Sequence, residues 1–141
     1  MDLPISTEDL TRLYRFTLLI TGDEVAAQQV FYDASADCAP RLDAYRNDDG
    51  RLACMMGSLR QKAKGAASGG EGRGVARAFA TLPEEERAAL AGLYTGLLPA
   101  RALAEALKMS LDQMGRVLRS ARERLERAGL ELGEPTLEQA L

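Results

Sequence analysis

Residues 82–125 decide the fold of this chain, and they read LPEEERAALAGLYTGLLPARALAEALKMSLDQMGRVLRSARERL. Apolar residues recur there at three- and four-residue steps in three short segments, which predicts three amphipathic helices. Only Lys108 and Met109 separate the second predicted helix from the start signal of the third. This spacing is typical of a helix-turn-helix, although a plain helical hairpin has the same spacing.

The ends of these helices carry their own signals. Pro83 has its φ preset for a first helical turn, and the three glutamates after it favour the positive end of a helix dipole, so a helix is expected to start at Pro83. Ser110 and Gln113 form a capping box, which predicts that the next helix begins at Leu111. Gly129 is expected to end that helix.

The third helix of the stretch is predicted to bury one face and expose a basic one. Its buried stripe is expected to comprise Met114, Val117, Leu118, Ala121 and Leu125. Residues 101–127 hold seven basic and four acidic side chains, whereas residues 1–100 and the tail after Arg127 each have a net charge of −3. A basic island in an acidic chain indicates an element that contacts phosphates.

The stretch resembles region 4 of bacterial sigma-70 family factors, especially the extracytoplasmic-function (ECF) group. The resemblance rests on the Leu-Pro start with its acidic turn, on LAEAL at residues 103–107, and on residues 110–125 with their ARERL end. In that family this region is a helix-turn-helix that reads the minus 35 promoter element and contacts core RNA polymerase. The resemblance therefore implies a transcription initiation factor that binds core RNA polymerase and promoter DNA.

Carried onto this chain, the resemblance implies two sets of DNA contacts. Base edges would be read by Gln113, Arg116 and Arg119, and phosphates would be held by Arg101, Lys108 and Arg122.

Upstream of the stretch, three more helices are predicted. Ser6 is expected to cap the first helix and Gly22 to end it, while Asp23 caps a second helix that Pro40 closes. The third helix follows Gly50 and runs to about residue 64. The predicted apolar faces of the second and third helices comprise Val25, Ala26, Val30, Phe31, Ala34, Leu52, Met55, Met56, Leu59 and Ala63. No β-type alternation occurs, so the fold class is expected to be all-α.

These first helices are similar to the opening of sigma region 2, with its Leu-Thr-Gly-Asp turn and the helix that grips the polymerase clamp. The similarity implies a contact with polymerase, or with a regulator such as an anti-sigma factor, through Gln28, Gln29, Phe31 and Tyr32. Residues 51–64 occupy the place of the promoter-opening helix of the family. The two resemblances together cover about residues 10–128.

The predicted organisation is two small helical lobes joined by a linker. Residues 1–64 form the region 2-like lobe, residues 65–74 with their five glycines a flexible linker, residues 75–129 the helix-turn-helix domain, and residues 130–141 an acidic tail. A short helix from Val75 to Thr81 is expected to lead into the second lobe. The linker lacks the Gly-Lys-Ser/Thr ending of a phosphate-binding loop.

The chain departs from the family pattern at positions that matter for DNA. Lys108 stands where the family usually has glycine, and Gly115 and Val117 stand where it commonly has basic or hydroxyl residues. Residues 49–64 lack the aromatic side chains that would stack on unpaired bases. These departures leave two alternatives open: a sigma-like decoy that binds an anti-sigma factor without reading DNA, and a helical interaction module.

Enzymatic activity is not expected, because the chain has no histidine and no converging nucleophile and base. No cofactor or metal is expected either, since Cys38 and Cys54 are not a CxxC pair. The two cysteines are either small core residues or a redox pair. The sequence contains no membrane-spanning or signal segment, so a cytoplasmic protein is expected.

Overall fold

The computed structural model describes residues 3–65 and 78–127, and these residues form helices without any strand. The helices are α1 (Thr7–Thr21), α2 (Glu24–Leu42), α3 (Asp48–Gly65), α4 (Glu84–Thr95), α5 (Ala100–Ala106) and α6 (Leu111–Arg127). The prediction of an all-α fold is therefore confirmed.

Side-chain caps start the first two helices as expected. The Ser6 hydroxyl accepts a hydrogen bond from the Asp9 N–H at 3.1 Å, and the Asp23 carboxylate accepts one from the Ala26 N–H at 3.0 Å. Between them, Gly22 ends α1 in the left-handed region with a φ of 73°. Two local signals, Gly22 and Asp23, thus place the turn between α1 and α2 correctly.

Two expectations for α2 are wrong. Pro40 does not close the helix but lies inside it, and α2 runs on to Leu42. Pro40 has no N–H, so the helix lacks the hydrogen bond to the Ala36 carbonyl. Ala36 is exposed, and only two residues of α2 follow Pro40. Val25, expected on the apolar face, is 75% exposed, because it lies about 200° around the helix from the buried Ala27.

The third helix starts at Asp48, three residues earlier than its predicted position after Gly50. The Asn47 side chain accepts a hydrogen bond from the Gly50 N–H at 2.8 Å, so Asn47 caps a helix whose first turn contains Asp48 and Asp49. The predicted apolar stripe is buried except at Ala63, which is half-buried.

Pro83 and Pro99 take equivalent positions in the second half of the chain. Pro83 was expected to be the first helical residue, but it is the N-cap of α4, with a ψ of 152°, and Glu84 is the first. Pro99 is likewise the N-cap of α5, with a ψ of 157°. Both prolines therefore fix the chain just before a helix instead of inside its first turn.

One hydrophobic core includes both halves of the chain. α1 packs against α4 and α3 packs against α5, so Phe16, Met56, Leu90, Leu103 and Leu118 belong to a single buried cluster. Such continuous burial of apolar surface favours the closed packing of the two halves.

Arg87 on α4 reinforces this packing. Its guanidinium donates to the Ile20 carbonyl at the end of α1 at 3.0 Å and to the Leu82 carbonyl at 2.8 Å. Burial lowers the pKa of Arg87. A cation on the carbonyls that end α1 is also favoured by the dipole of that helix.

Part of the predicted domain organisation falls outside the described residues. That part comprises the linker after Gly65, the start of the helix expected from Val75, Gly129 and the tail. Gly65 itself is the last residue of α3. The division into segments 1–64, 65–74, 75–129 and 130–141 stays a prediction.

Candidate nucleic-acid interface

The turn between α5 and α6 is built around Lys108. Its φ of 59° lies in the left-handed region, the conformation for which glycine is best suited. This conformation reverses the chain, and the Met109 N–H donates to the Ala104 carbonyl at 2.9 Å.

The start of α6 follows the predicted position but uses only half of the predicted cap. The Ser110 hydroxyl accepts from the Gln113 N–H at 3.0 Å, and the helix begins at Leu111 as expected. The Gln113 side chain does not complete the capping box at Ser110. Its amide instead donates to the Glu85 carboxylate on α4 at 3.0 Å. The Gln113 side chain therefore binds Glu85 on a neighbouring helix instead of the Ser110 backbone next to it in the chain.

The two faces of α6 separate as expected. Met114, Leu118, Ala121 and Leu125 are buried, and Val117 is half-buried. The opposite face exposes basic side chains at three-residue spacing.

The predicted DNA contacts occupy different environments. Among the predicted base contacts, Arg116 and Arg119 are exposed, whereas Gln113 is half-buried. Among the predicted phosphate contacts, Arg101 on α5 and Lys108 in the turn are exposed, and Arg122 is half-buried. Four of the six predicted DNA contacts are therefore exposed cations, on α5, in the turn and on α6.

The acidic run at the start of α4 has tertiary roles that its sequence does not reveal. Glu84, Glu85 and Glu86 occupy the first turn of the helix, as the dipole argument predicts. Glu85 holds Gln113, as described above. Glu86 is buried, and both of its oxygens accept from the Nε of Arg124 at 3.1 Å. Arg124 thus fastens α6 to α4 although it belongs to the basic island by sequence.

Glu84 accepts its hydrogen bonds from α3. The Arg60 Nε donates to one carboxylate oxygen of Glu84 at 2.6 Å and the Arg60 Nη2 to the other at 3.0 Å. The remaining Arg60 nitrogen donates to the Leu107 carbonyl at 3.1 Å, at the end of α5. The hydrogen bond from Arg60 lowers the pKa of Glu84, and the same contact raises the pKa of Arg60.

This arrangement turns a basic residue of α3 away from solvent. The Arg60 guanidinium connects α3 to the start of α4 and to the end of α5. Lys64, one turn further on, has its Nζ 3.9 Å from Glu84. The sequence carried no signal for these contacts, because they join residues far apart in the chain.

A second candidate surface lies between α1 and α2. Of the four predicted polymerase or regulator contacts, Gln28, Phe31 and Tyr32 line one shallow groove of about 360 Å³. Gln29 does not line this groove and donates to Asp33 at 2.9 Å. The other residues that line the groove, which the sequence did not predict, are Leu3, Leu10, Tyr14 and Ser35.

Aromatic rings shape this groove. Tyr14 and Phe31 pack edge to face with their ring centroids 5.8 Å apart, and Tyr32 is 64% exposed. A largely apolar groove with an exposed tyrosine is the composition found at the centres of protein–protein interfaces.

Within residues 3–65 and 78–127, no three histidine, cysteine, aspartate or glutamate side chains are grouped so as to hold a metal ion. The helices of this same part of the chain are too short or too polar to cross a membrane. Comparisons with protein-family models, curated proteins and solved structures find no match to this chain.

Proposed function

We propose that this protein is a transcription initiation factor of the sigma-70 family, of the ECF type, which binds core RNA polymerase and promoter DNA. The observation that carries the proposal is the exposure of Arg116 and Arg119 on α6, behind a left-handed turn at Lys108. A helix that is anchored by its apolar side and exposes arginines is suited to enter the major groove of DNA.

In this proposal the remaining cations fix the position of α6 on DNA. Arg101 on α5 and Lys108 in the turn before α6 are exposed and contact phosphates. Arg122, in the second half of α6, contacts a further phosphate. Gln113 reads a base edge after exchanging its hydrogen bond with Glu85 for one with DNA. Because Glu85 loses its amide donor in this exchange, the loss offsets part of the free energy of the new hydrogen bond.

The groove between α1 and α2 is the proposed docking site for core RNA polymerase. Tyr32 and Phe31 supply apolar contact area, and Gln28 supplies a hydrogen-bonding group at its edge. This surface and the basic face of α6 use different residues, so polymerase and DNA are bound by separate sites.

One observation favours a second function, that of a sigma-like decoy for an anti-sigma factor. Arg60 is bound to Glu84, and α3 contains no aromatic residue that could stack on an unpaired base. A protein with this α3 keeps the surfaces that regulators recognise but lacks a helix suited to opening DNA.

The deciding experiment is the affinity of the purified chain for core RNA polymerase, with an established sigma factor as competitor. Saturable binding that the competitor displaces supports the initiation factor, and Tyr32→Ala should weaken this binding. Val25→Ala is the matched control, since Val25 is exposed on α2 but does not line the groove. No binding at micromolar concentration, together with capture of an anti-sigma factor, would establish the decoy.

A further inference from the structure

Cys38 on α2 and Cys54 on α3 place their sulfur atoms 3.5 Å apart. Both cysteines are free thiols. The Cys38 thiol also lies 3.5 Å from the Cys54 carbonyl, so the side chain is held toward its neighbour on the facing helix. Because a disulfide needs the sulfurs about 2 Å apart, a movement of about 1.5 Å would join them.

We infer that Cys38 and Cys54 are a peroxide-sensitive thiol pair whose oxidation links α2 to α3 through an intramolecular disulfide. The inference does not depend on the proposed function, because it rests on the geometry of α2 and α3 alone.

The two thiols differ in their access to an oxidant. Cys54 is half-buried and lines an open polar groove of about 850 Å³, together with Arg41, Tyr45 and Ser58. Cys38 is completely buried behind it. Hydrogen peroxide therefore reaches Cys54 first, and Cys38 is placed to resolve the product.

The surroundings of the pair favour this order. The Arg41 guanidinium lies 3.7 Å from the Cys38 sulfur, and the proximity of the cysteines, Cys54 above all, raises the pKa of Arg41. This guanidinium lowers the pKa of Cys38, but burial and the neighbouring Cys54 outweigh it. Burial raises the pKa of Cys38 to about 11, so Cys38 keeps its proton until it reacts.

The chemistry balances with hydrogen peroxide as the oxidant. The Cys54 thiolate attacks one peroxide oxygen, the O–O bond breaks, and the departing hydroxide takes up the proton that Cys54 released, which gives water and a sulfenic acid. The Cys38 sulfur then attacks the Cys54 sulfur, the S–O bond breaks, and the second hydroxide leaves as water with the Cys38 proton. Two thiols lose two electrons, and peroxide is reduced to two waters. A dithiol reductant reverses the reaction by thiol–disulfide exchange.

The sequence makes the product easy to identify. Tryptic cleavage after Arg15, Arg41, Arg51 and Arg60 places the two cysteines on separate peptides, residues 16–41 and 52–60. A disulfide joins these two peptides, and reduction separates them.

The test treats the full-length chain with equimolar hydrogen peroxide and then blocks remaining thiols with a maleimide. We expect both thiols to become unreactive, the two peptides to be joined, and the chain to stay monomeric. We also expect the melting temperature to rise by about 5 to 10 °C, because the disulfide closes a short loop, and dithiothreitol to reverse that rise. Thiols that stay reactive, or a disulfide between two chains, would overturn the inference.

Two variants test the assigned order. In Cys38→Ser, Cys54 should accumulate sulfenic acid that dimedone traps, because its resolving partner is gone. In Cys54→Ser, the buried Cys38 should resist the same dose and acquire no dimedone. Equal dimedone trapping in both variants would contradict the order of attack, and the wild-type peptide result does not depend on the folding of either variant.

Discussion

Arg60 and Glu84 join the two halves of the chain through a bidentate contact, with nitrogen–oxygen distances of 2.6 and 3.0 Å. Only 19% of the Arg60 side chain is exposed, which protects the contact from solvent screening. The same guanidinium holds the end of α5, so one side chain connects α3, α4 and the turn between α5 and α6.

Removing this guanidinium should destabilise the fold. Arg60→Ala leaves the Glu84 carboxylate and the Leu107 carbonyl without their donors, and we expect a loss of about 1 to 2 kcal/mol in the free energy of unfolding. Urea denaturation measures the loss. Arg15→Ala, at an exposed position on α1, is the matched control and should change stability by less than about 0.5 kcal/mol. Equal midpoints for the two variants would show that the contact adds nothing.

The same contact should make stability depend on pH. Arg60 lowers the pKa of Glu84 below its ordinary value of 4.5, so the folded state binds a proton less readily at this site than the unfolded state. The resulting stabilisation is complete above the ordinary value and is lost as the pH falls through the lowered pKa. Thermal melts of the wild type and Glu84→Gln should therefore differ at pH 7 and converge toward pH 3. A difference that grows on acidification would contradict this assignment.

Lys108 should be a site of easy stabilisation. A side chain in the left-handed region costs about 1 kcal/mol relative to glycine, so Lys108→Gly should raise the free energy of unfolding by up to that amount. Lys108→Ala retains a Cβ and is the control, since it removes the charge without relieving the backbone. Thermal denaturation of the pair separates the two effects. A destabilised glycine variant would mean that the Lys108 side chain itself holds the turn.

Gly92 should resist enlargement. A Cβ at this position of α4 would lie 2.5 Å from a Leu103 methyl group and 3.2 Å from the Met56 methyl group, and both residues are buried. Gly92→Leu should therefore cost about 1 to 3 kcal/mol through overpacking.

Gly57→Leu is the matched control for Gly92→Leu, because nothing lies within 4 Å of a Cβ at Gly57 on α3. The control should be neutral or slightly stabilising, since leucine favours helix more than glycine does. Chemical denaturation compares the two variants. Similar stabilities would show that α3, α4 and α5 pack less closely than described.

Two cations of the helix-turn-helix should differ in their effect on DNA binding if the proposed function holds. Arg116→Ala should weaken binding to a preferred promoter by about 1 to 3 kcal/mol and relax its sequence preference. Lys108→Ala should weaken binding to all sequences alike, because it removes a phosphate contact. Arg127→Ala is the control, since Arg127 is exposed at the far end of α6. Fluorescence anisotropy with promoter and scrambled duplexes measures these effects, and unchanged affinity in the first two variants would refute the assignment.

The sequence predicted the features that neighbouring residues determine. Hydroxyl and carboxylate caps such as Ser6, Asp23 and Ser110 act over three residues, and each bonds the N–H expected of it. Most members of the predicted apolar stripes are also buried or half-buried, although Val25 on α2 is exposed. In the α6 stripe, only Val117 is left half-buried.

The rest could not be predicted, because it depends on which helices meet. Gln113 has an appropriate local partner in Ser110 but binds Glu85, which only the packing of α6 on α4 brings near. Arg60 has no partner within a turn of its own helix that would reveal its role. For the candidate site, the exposure of Arg116 and Arg119 followed from periodicity, whereas the pairing of the acidic run did not.

The contacts of Arg60 with Glu84 and Leu107 also couple α3 to the turn between α5 and α6. A ligand that displaces the Arg60 guanidinium from both Glu84 and the Leu107 carbonyl removes a hydrogen bond from the turn between α5 and α6. The coupling is reciprocal: if binding of the ligand destabilises the turn, then stabilising the turn weakens binding of the ligand by the same free energy. Binding of such a ligand to α3 is thus thermodynamically coupled to the stability of the turn before α6.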